Sequence, residues 1–304
     1  MKTLLRAVAL ALLLILVGLL VPSPSLVAGA EEEKTFEPLP IDVAAPYAPI
    51  QDCFLPDQGG YVDDSISVLI RKERAEEYGT DVMIVDIDIK DVSQLRTARA
   101  GKYGSKATAL VAEMATRNNA VIAMNGDYFS YHDYGYVVRN GVVLRDRPTP
   151  DFDIMIIDTK GDVTVMVRPD RAMVDAFEGE VLHAFSFGPA LLKDGEKITE
   201  PGRCDSMNKT TQRIAFCQRG PLSYSIVATE GPENTNGRGF TIAEFIDYLY
   251  AKGEYQQAYN FDGGSSSTIA FQKKKINSIS SYKTRSVGDI IYFATLLSGE
   301  EAAQ

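Results

Sequence analysis

The run Val137-Val138-Arg139-Asn140-Gly141-Val142-Val143-Leu144 constrains the fold more than any other segment. Two apolar stretches flank Asn-Gly, the dipeptide that most readily takes the positive φ angles of a two-residue hairpin turn. An antiparallel pair of strands is therefore expected here. Similar pairs recur: Ile154–Asp158 with Val163–Val167 around Lys160-Gly161, and Leu191-Leu192 with Lys197-Ile198 around Asp194-Gly195. Val82 to Ile89 alternates late in its run, with Asp86 and Asp88 set between Val85, Ile87 and Ile89, as a half-buried strand does. Those aspartates read as a solvated strand face rather than a site. Ala120–Met124, Gln257–Phe261 and Asp289–Ala294 add short strand-like apolar runs.

Helices are fewer. Ala107, Leu110, Val111, Met114 and Ala115 are spaced for an amphipathic helix within Ser105–Asn118. Thr241–Lys252 pairs Thr241 with Glu244 at capping-box spacing, carries Ile242, Phe245, Ile246 and Leu249 on one face, and meets Gly253 as a stop. Many strands with few helices predict an α+β fold: a single domain of mostly antiparallel or mixed β-sheet with a few flanking helices. Neither an internal repeat nor a charged linker divides residues 61–296. Residues 31–60 contain five prolines and read as an extended lead-in, and residues 297–304 as a flexible tail.

Residues 1–30 have the order of a secretory signal peptide: Lys2 and Arg6, an apolar run from Ala7 to Val21, then Ala28-Gly29-Ala30 before Glu31. The apolar run falls short of the roughly 20 residues a spanning helix needs, which favours cleavage over anchoring. Export to the periplasm, the cell surface or the medium is expected, with a membrane as partner only if this segment stays attached. Cleavage removes two positive charges, taking the net charge of the 304-residue chain from −10 to −12. Such acidity argues against nucleic acid as a partner. Cys53, Cys204 and Cys217 allow alternative disulfides that spacing alone does not choose between. With His132 and His183 as its two histidines, the chain has no histidine-rich metal site.

The segments with chemical content lie where strands run into loops. Gln257–Phe261 ends in Asp262-Gly263-Gly264-Ser265-Ser266-Ser267-Thr268. A carboxylate at a strand end is held rigidly. Glycines after it let the backbone turn and approach a ligand closely, and N–H groups with hydroxyls can receive anionic oxygens. Ala120–Met124 runs similarly into Asn125-Gly126-Asp127-Tyr128-Phe129, a second junction with a carboxylate, followed by Tyr131, His132, Asp133, Tyr134 and Tyr136. Tyrosines there can stack on a sugar or pack in the fold. Either junction taken alone is also an ordinary polar turn. Oxygen ligands at Asn125, Asp127, Asn260 and Asp262 would suit calcium, although no EF-hand loop is present. The glycine–serine run lacks a Gly-x-Ser-x-Gly nucleophile elbow.

Several segments in order resemble the phosphodiester glycosidase family across Val82 to Phe293. Asn260–Ile269 is similar to its Asn-Leu-Asp-Gly-Gly-Gly-Ser-Ser-Thr-Met signature, with Phe261 for Leu, Ser265 for the third Gly and Ile269 for Met. Asn125–Phe129 resembles Asn-Gly-Gly-(aromatic)-Phe with Asp127 at the second Gly, and Gly188–Leu191 resembles Gly-Pro-x-Leu. Thr210–Phe216 resembles a Pro-Arg-Thr-Ala-Ile-Gly strand, with Gln212 for Pro, and Tyr282-Lys283-Thr284-Arg285-Ser286-Val287 a late Arg-x-Val segment. Thr229-Glu230-Gly231 departs from an Asp-Gly-Arg element.

The resemblance implies an exported hydrolase that cleaves sugar-1-phosphodiester bonds, N-acetylglucosamine-1-phosphodiesters among them, with no required cofactor. Asp262 is then the leading carboxylate and Asp127 the second, since a carboxylate can stabilise, activate water against, or attack an oxocarbenium-like centre. Arg213 and Arg285 are expected to hold the phosphate. Asn125, Gly126, Tyr128, Gly188, Gly263, Gly264, Ser266, Ser267 and Thr268 are expected to line the substrate site. The rival expectation is a non-catalytic protein of the same fold that binds exopolysaccharide or cell-envelope glycan.

Overall fold

The computed structural model describes residues 35–41, 46–231, 237–277 and 284–299. Residues 1–30, read above as a signal peptide, lie outside the described residues, as does the end of the tail. Phe36–Gln304 forms one unit. It opens with β1 (Gly60–Val62), β2 (Ile66–Ala75), β3 (Thr80–Ile89) and β4 (Leu95–Arg99), then α1 (Val111–Arg117) and β5 (Ile122–Asn125). Hairpins β6 (Gly135–Arg139)–β7 (Val142–Arg147) and β8 (Ile154–Asp158)–β9 (Val163–Met166) follow. Next come α2 (Arg171–Asp175), β10 (Val181–Ser186), β11 (Ala190–Lys193) and β12 (Glu196–Lys197). The remainder holds β13 (Ile214–Gly220), β14 (Ser223–Thr229), α3 (Ile242–Lys252), β15 (Gln257–Phe261), β16 (Ile269–Phe271), β17 (Lys274–Lys275) and β18 (Asp289–Phe293).

These strands form three sheets, in the orders β1-β2-β3-β14-β13-β15-β11-β12, β7-β6-β10-β8-β9 and β17-β16-β5-β18-β4. Every pairing among them is antiparallel. The α+β single-domain expectation holds. One shared core lies between the sheets, where Ile214, Phe216 and Phe261 of the largest meet Met155 and Phe185 of the second and Ile122, Ile269 and Phe293 of the third. The outer face of the largest sheet packs on α3 through Phe245 and Leu249, and that of the third on α1 through Val111 and Met114. A fully buried side chain of this kind contributes about 1.5–3 kcal/mol.

The turns explain the hairpins. Asn140 and Gly141 have φ of 50° and 74°, and Asp194 and Gly195 have 52° and 79°, the signs a primed turn requires. Thr241 caps α3 by accepting from the Glu244 N–H at 3.2 Å while Glu244 accepts from the Thr241 N–H at 2.9 Å. The first helix is shorter than its periodicity suggests. Ala109 exchanges backbone hydrogen bonds of 3.1 and 2.9 Å with Val287, which holds the chain extended until Val111. On β3, Asp86 accepts from Arg71 and Ser225, and Asp88 from Arg219 and Ser223, so the alternating aspartates form a paired strand face.

Part of the proline-rich lead-in is woven into the fold: Leu39 is buried, its N–H reaches Ser93 Oγ at 2.9 Å, and Arg96 holds the Pro40 and Ile41 carbonyls. All three cysteines are free thiols. Among the described residues, no helix is long and apolar enough to cross a membrane.

Candidate active site

Strand β15 runs through the core and releases the chain at Asp262. Gly263 passes so close to the chain leading into β13 that a Cβ would lie 2.4 Å from the Gln212 carbonyl oxygen, and Gly264 turns with φ of 57°. Each glycine is thus needed for a different reason, one for space and one for conformation. Ser265 takes no positive φ, so replacing a third glycine leaves the backbone path available. Ser266, Ser267 and Thr268 are buried as the chain enters β16.

Asn125, at the end of β5, fastens this loop to the other junction. Its Nδ2 donates to the Asp262 carbonyl at 2.9 Å and its Oδ1 accepts from the Thr268 N–H at 3.0 Å. Asn277 secures the exit, donating to the Ser267 carbonyl and accepting from the Ile269 N–H. Burial pushes the Asp262 carboxyl above the ordinary aspartate range. Ser266 and Arg285 pull it back, and the charge of Asp127 pushes it further up. Asp262, Arg285, Ser266 and Asp127 therefore share one electrostatic neighbourhood. Arg285 is exposed, and its N–H donates to the Ser265 carbonyl at 3.0 Å; Tyr282 and Lys283 before it lie outside the described residues.

Asp127 is buried and held by the Arg139 guanidinium at 2.7 Å and by the N–H groups of Phe129 and Ser186. Arg139 also bonds Asp289 at 2.9 Å and the Ala184 and Val138 carbonyls, with its guanidinium 4.0 Å from the Phe185 ring centroid. Burial raises Asp289 to about 6, against the pull of Arg139 and with a push from Asp127. The glycine before Asp127 is obligatory for packing: a Cβ on Gly126 would lie 2.0 Å from Asp289 Oδ1.

Arg213 is placed differently from the phosphate-gripping arginine expected of it. Buried beside β15, it donates through Nε to the Phe240 carbonyl and through its terminal nitrogens to Ser206 Oγ, the Ser206 carbonyl and the Lys209 carbonyl. Burial draws its pKa down. The guanidinium braces the loop 204–209. Gly188, with φ of 80° before a cis peptide to Pro189, offers its carbonyl to Asn260 Nδ2 at 2.8 Å. Tyr128 also sits at positive φ, 67°, with its ring exposed.

Sequence reading missed Arg139, Asp289 and Asn277. An arginine beside a hairpin turn and an aspartate opening a strand carry no local sign of pairing. Among the described residues, no group of three or more histidines, cysteines, aspartates or glutamates is arranged to hold a metal ion.

The class defined by this geometry is an antiparallel α+β domain carrying a carboxylate on a glycine–serine loop at a strand end. Residues 118–294 match the phosphodiester glycosidase family, and the chain belongs to that family. The fold is similar to the catalytic domain of zebrafish N-acetylglucosamine-1-phosphodiester alpha-N-acetylglucosaminidase, auto-inhibited by its pro-peptide, with a TM-score of 0.58 and 16% identity over 76% of this chain and 83% of that one. A hypothetical protein from Synechocystis is similar at a TM-score of 0.50 and 14% identity, over 75% of this chain and 62% of that one. No curated protein sequence matches.

Proposed function

We propose that this protein is an exported glycosidase that hydrolyses sugar-1-phosphodiester bonds, including N-acetylglucosamine-1-phosphodiester-like substrates. The observation that carries this reading is Asp262, a carboxyl raised by burial on the family's signature loop and within the field of the exposed Arg285. A base whose pKa lies nearer the working pH is more effective. Asp262 would act on the anomeric carbon, directly or through water, as the bond to the phosphate oxygen breaks. The departing phosphomonoester keeps the bonding pair, and Arg285 stabilises its added negative charge. Asp127 acts as the second carboxylate through its charge, since its oxygens are already held by Arg139 and two N–H groups. Arg213 supports the site by bracing the loop 204–209 rather than by gripping phosphate.

The test is release of free sugar from a panel of sugar-1-phosphodiesters, including UDP-N-acetylglucosamine, by the mature protein and by Asp262→Asn. Release by the wild type that falls at least 1,000-fold in a folded variant is expected, in line with loss of a group acting on the transition state, worth about 4 kcal/mol. Release that persists in Asp262→Asn removes the assignment. Glycan binding without any release supports the non-catalytic rival.

A further inference from the structure

The junction after β5 continues into an aromatic wall that the proposed chemistry leaves unused. Phe129 turns inward over Arg139, its ring centroid 5.1 Å from the guanidinium. Tyr128 and Tyr131 turn outward, 39% and 45% exposed, with their rings stacked 4.3 Å apart at 13°. Beside them His132, Tyr134 and Phe152 form a second stack, with centroids 4.1 and 4.3 Å apart. These rings face Ser186–Gly188 and the loop Arg203–Ser206 across a cleft of about 480 Å³. That volume falls within the roughly 300–1,000 Å³ of small-molecule sites and accommodates one or two sugar rings.

The cleft is joined to the candidate centre. Ser186, on its wall, donates its N–H to Asp127, and Gly188 accepts from Asn260, two residues before Asp262. Its opposite wall is the loop that Arg213 braces through Ser206.

The chemistry of the lining selects the occupant. The cation on the wall, Arg203, is engaged by Asp205 at 3.0 Å. Arg145, behind the aromatic stack, is engaged by the Phe129 and Tyr134 carbonyls. Asp151 adds a negative charge, and burial lowers the His132 pKa. A nucleotide would bring phosphates to a lining in which Asp151 and Asp205 outnumber Arg203. A pyranose instead offers C–H faces for the exposed tyrosine rings and hydroxyls for Asp151, Thr149 and Ser206.

We propose that this cleft is a carbohydrate subsite in which Tyr131, stacked on Tyr128, receives an uncharged sugar ring of the substrate. The inference rests on the glycosidase reading and deepens it: the preferred phosphodiesters are borne on uncharged oligosaccharides rather than on nucleotides.

Binding tests this without turnover. Full-length protein is titrated with maltotriose, cellotriose and chitotriose by saturation-transfer NMR and calorimetry, with uridine monophosphate as competitor. At least one trisaccharide should bind; Tyr131→Ala should weaken it at least tenfold, Tyr131→Phe should restore it to within about threefold, and uridine monophosphate should not displace it. Absence of trisaccharide binding, binding indifferent to Tyr131→Ala, or displacement by uridine monophosphate would each overturn the proposal. Trisaccharide binding through Tyr131 with no sugar released from any phosphodiester would overturn the glycosidase reading and leave the subsite standing. Release of sugar with no trisaccharide bound would do the reverse.

Discussion

Replacing Arg139 with methionine keeps much of the packing against Phe129 and Phe185 but removes the cation between Asp127 and Asp289. Two charge-assisted hydrogen bonds of 2.7 and 2.9 Å are lost, and both carboxylates stay buried without it. Taking one partner from a buried pair costs about 3–5 kcal/mol. For a chain of this size each kcal/mol lowers the melting temperature by about 2–4 °C, so a fall of about 6–20 °C is expected. The pH dependence follows from the raised carboxyl. Asp289 already titrates at about 6 with Arg139 present, and without that cation it moves higher. An unfolded aspartate titrates near about 3.9. Between these values the folded state binds more protons than the unfolded state, so stability falls as pH rises through the window. The deficit of Arg139→Met relative to wild type should therefore be larger at pH 7 than at pH 5. Adding Asp289→Asn should recover part of it. Guanidinium unfolding at both pH values reads all three effects. A loss under about 1 kcal/mol, or the same loss at both pH values, would refute the account of Arg139 as the counter-charge of this cluster.

Arg285→Gln removes a charge that lowers the Asp262 pKa, so the acidic limb of log kcat/KM against pH should move to higher pH. A limb that stays put or moves down would exclude Asp262 as its origin. Two neighbouring substitutions should part in thermal unfolding. Gly264→Ala, at φ of 57°, should cost about 1–2 kcal/mol, whereas Ser265→Gly should cost under about 1 kcal/mol, through the unfolded chain alone. Equal losses at both positions would count against the turn geometry. The Asp262→Asn turnover test completes the set.

The hairpins were legible because their turns are spelled by residues that tolerate positive φ, and α3 because its cap and its apolar face coincide. The turn between β16 and β17 was not, since Gln272 and Lys273 adopt φ of 47° and 65° with no glycine to announce them. Helix α1 was overextended because periodicity cannot show that Ala109 is claimed by Val287. Asp262 and Asn125 stood out as polar residues at the ends of apolar strands. Arg213 read as an anion ligand because guanidinium groups suit phosphate, yet in the fold it donates to the Ser206 hydroxyl and to the Phe240, Ser206 and Lys209 carbonyls. Arg139 escaped notice for the converse reason: its two carboxylate partners lie 12 and 150 residues away.

Those separations also set an order of events. Asn125 reaches Asp262 across 137 residues, Arg139 reaches Asp289 across 150, and Thr295 reaches Asp63 across 232. Contacts this remote slow folding, because large loops must close before any of them forms. During synthesis Arg139 and Asp127 emerge long before Asp289, and the third sheet lacks β18 until Phe293 has been added. Strand β4, whose partner in that sheet is β18, stays unpaired until then, so a nascent chain that stops before Asp289 would lack the element that seals the site.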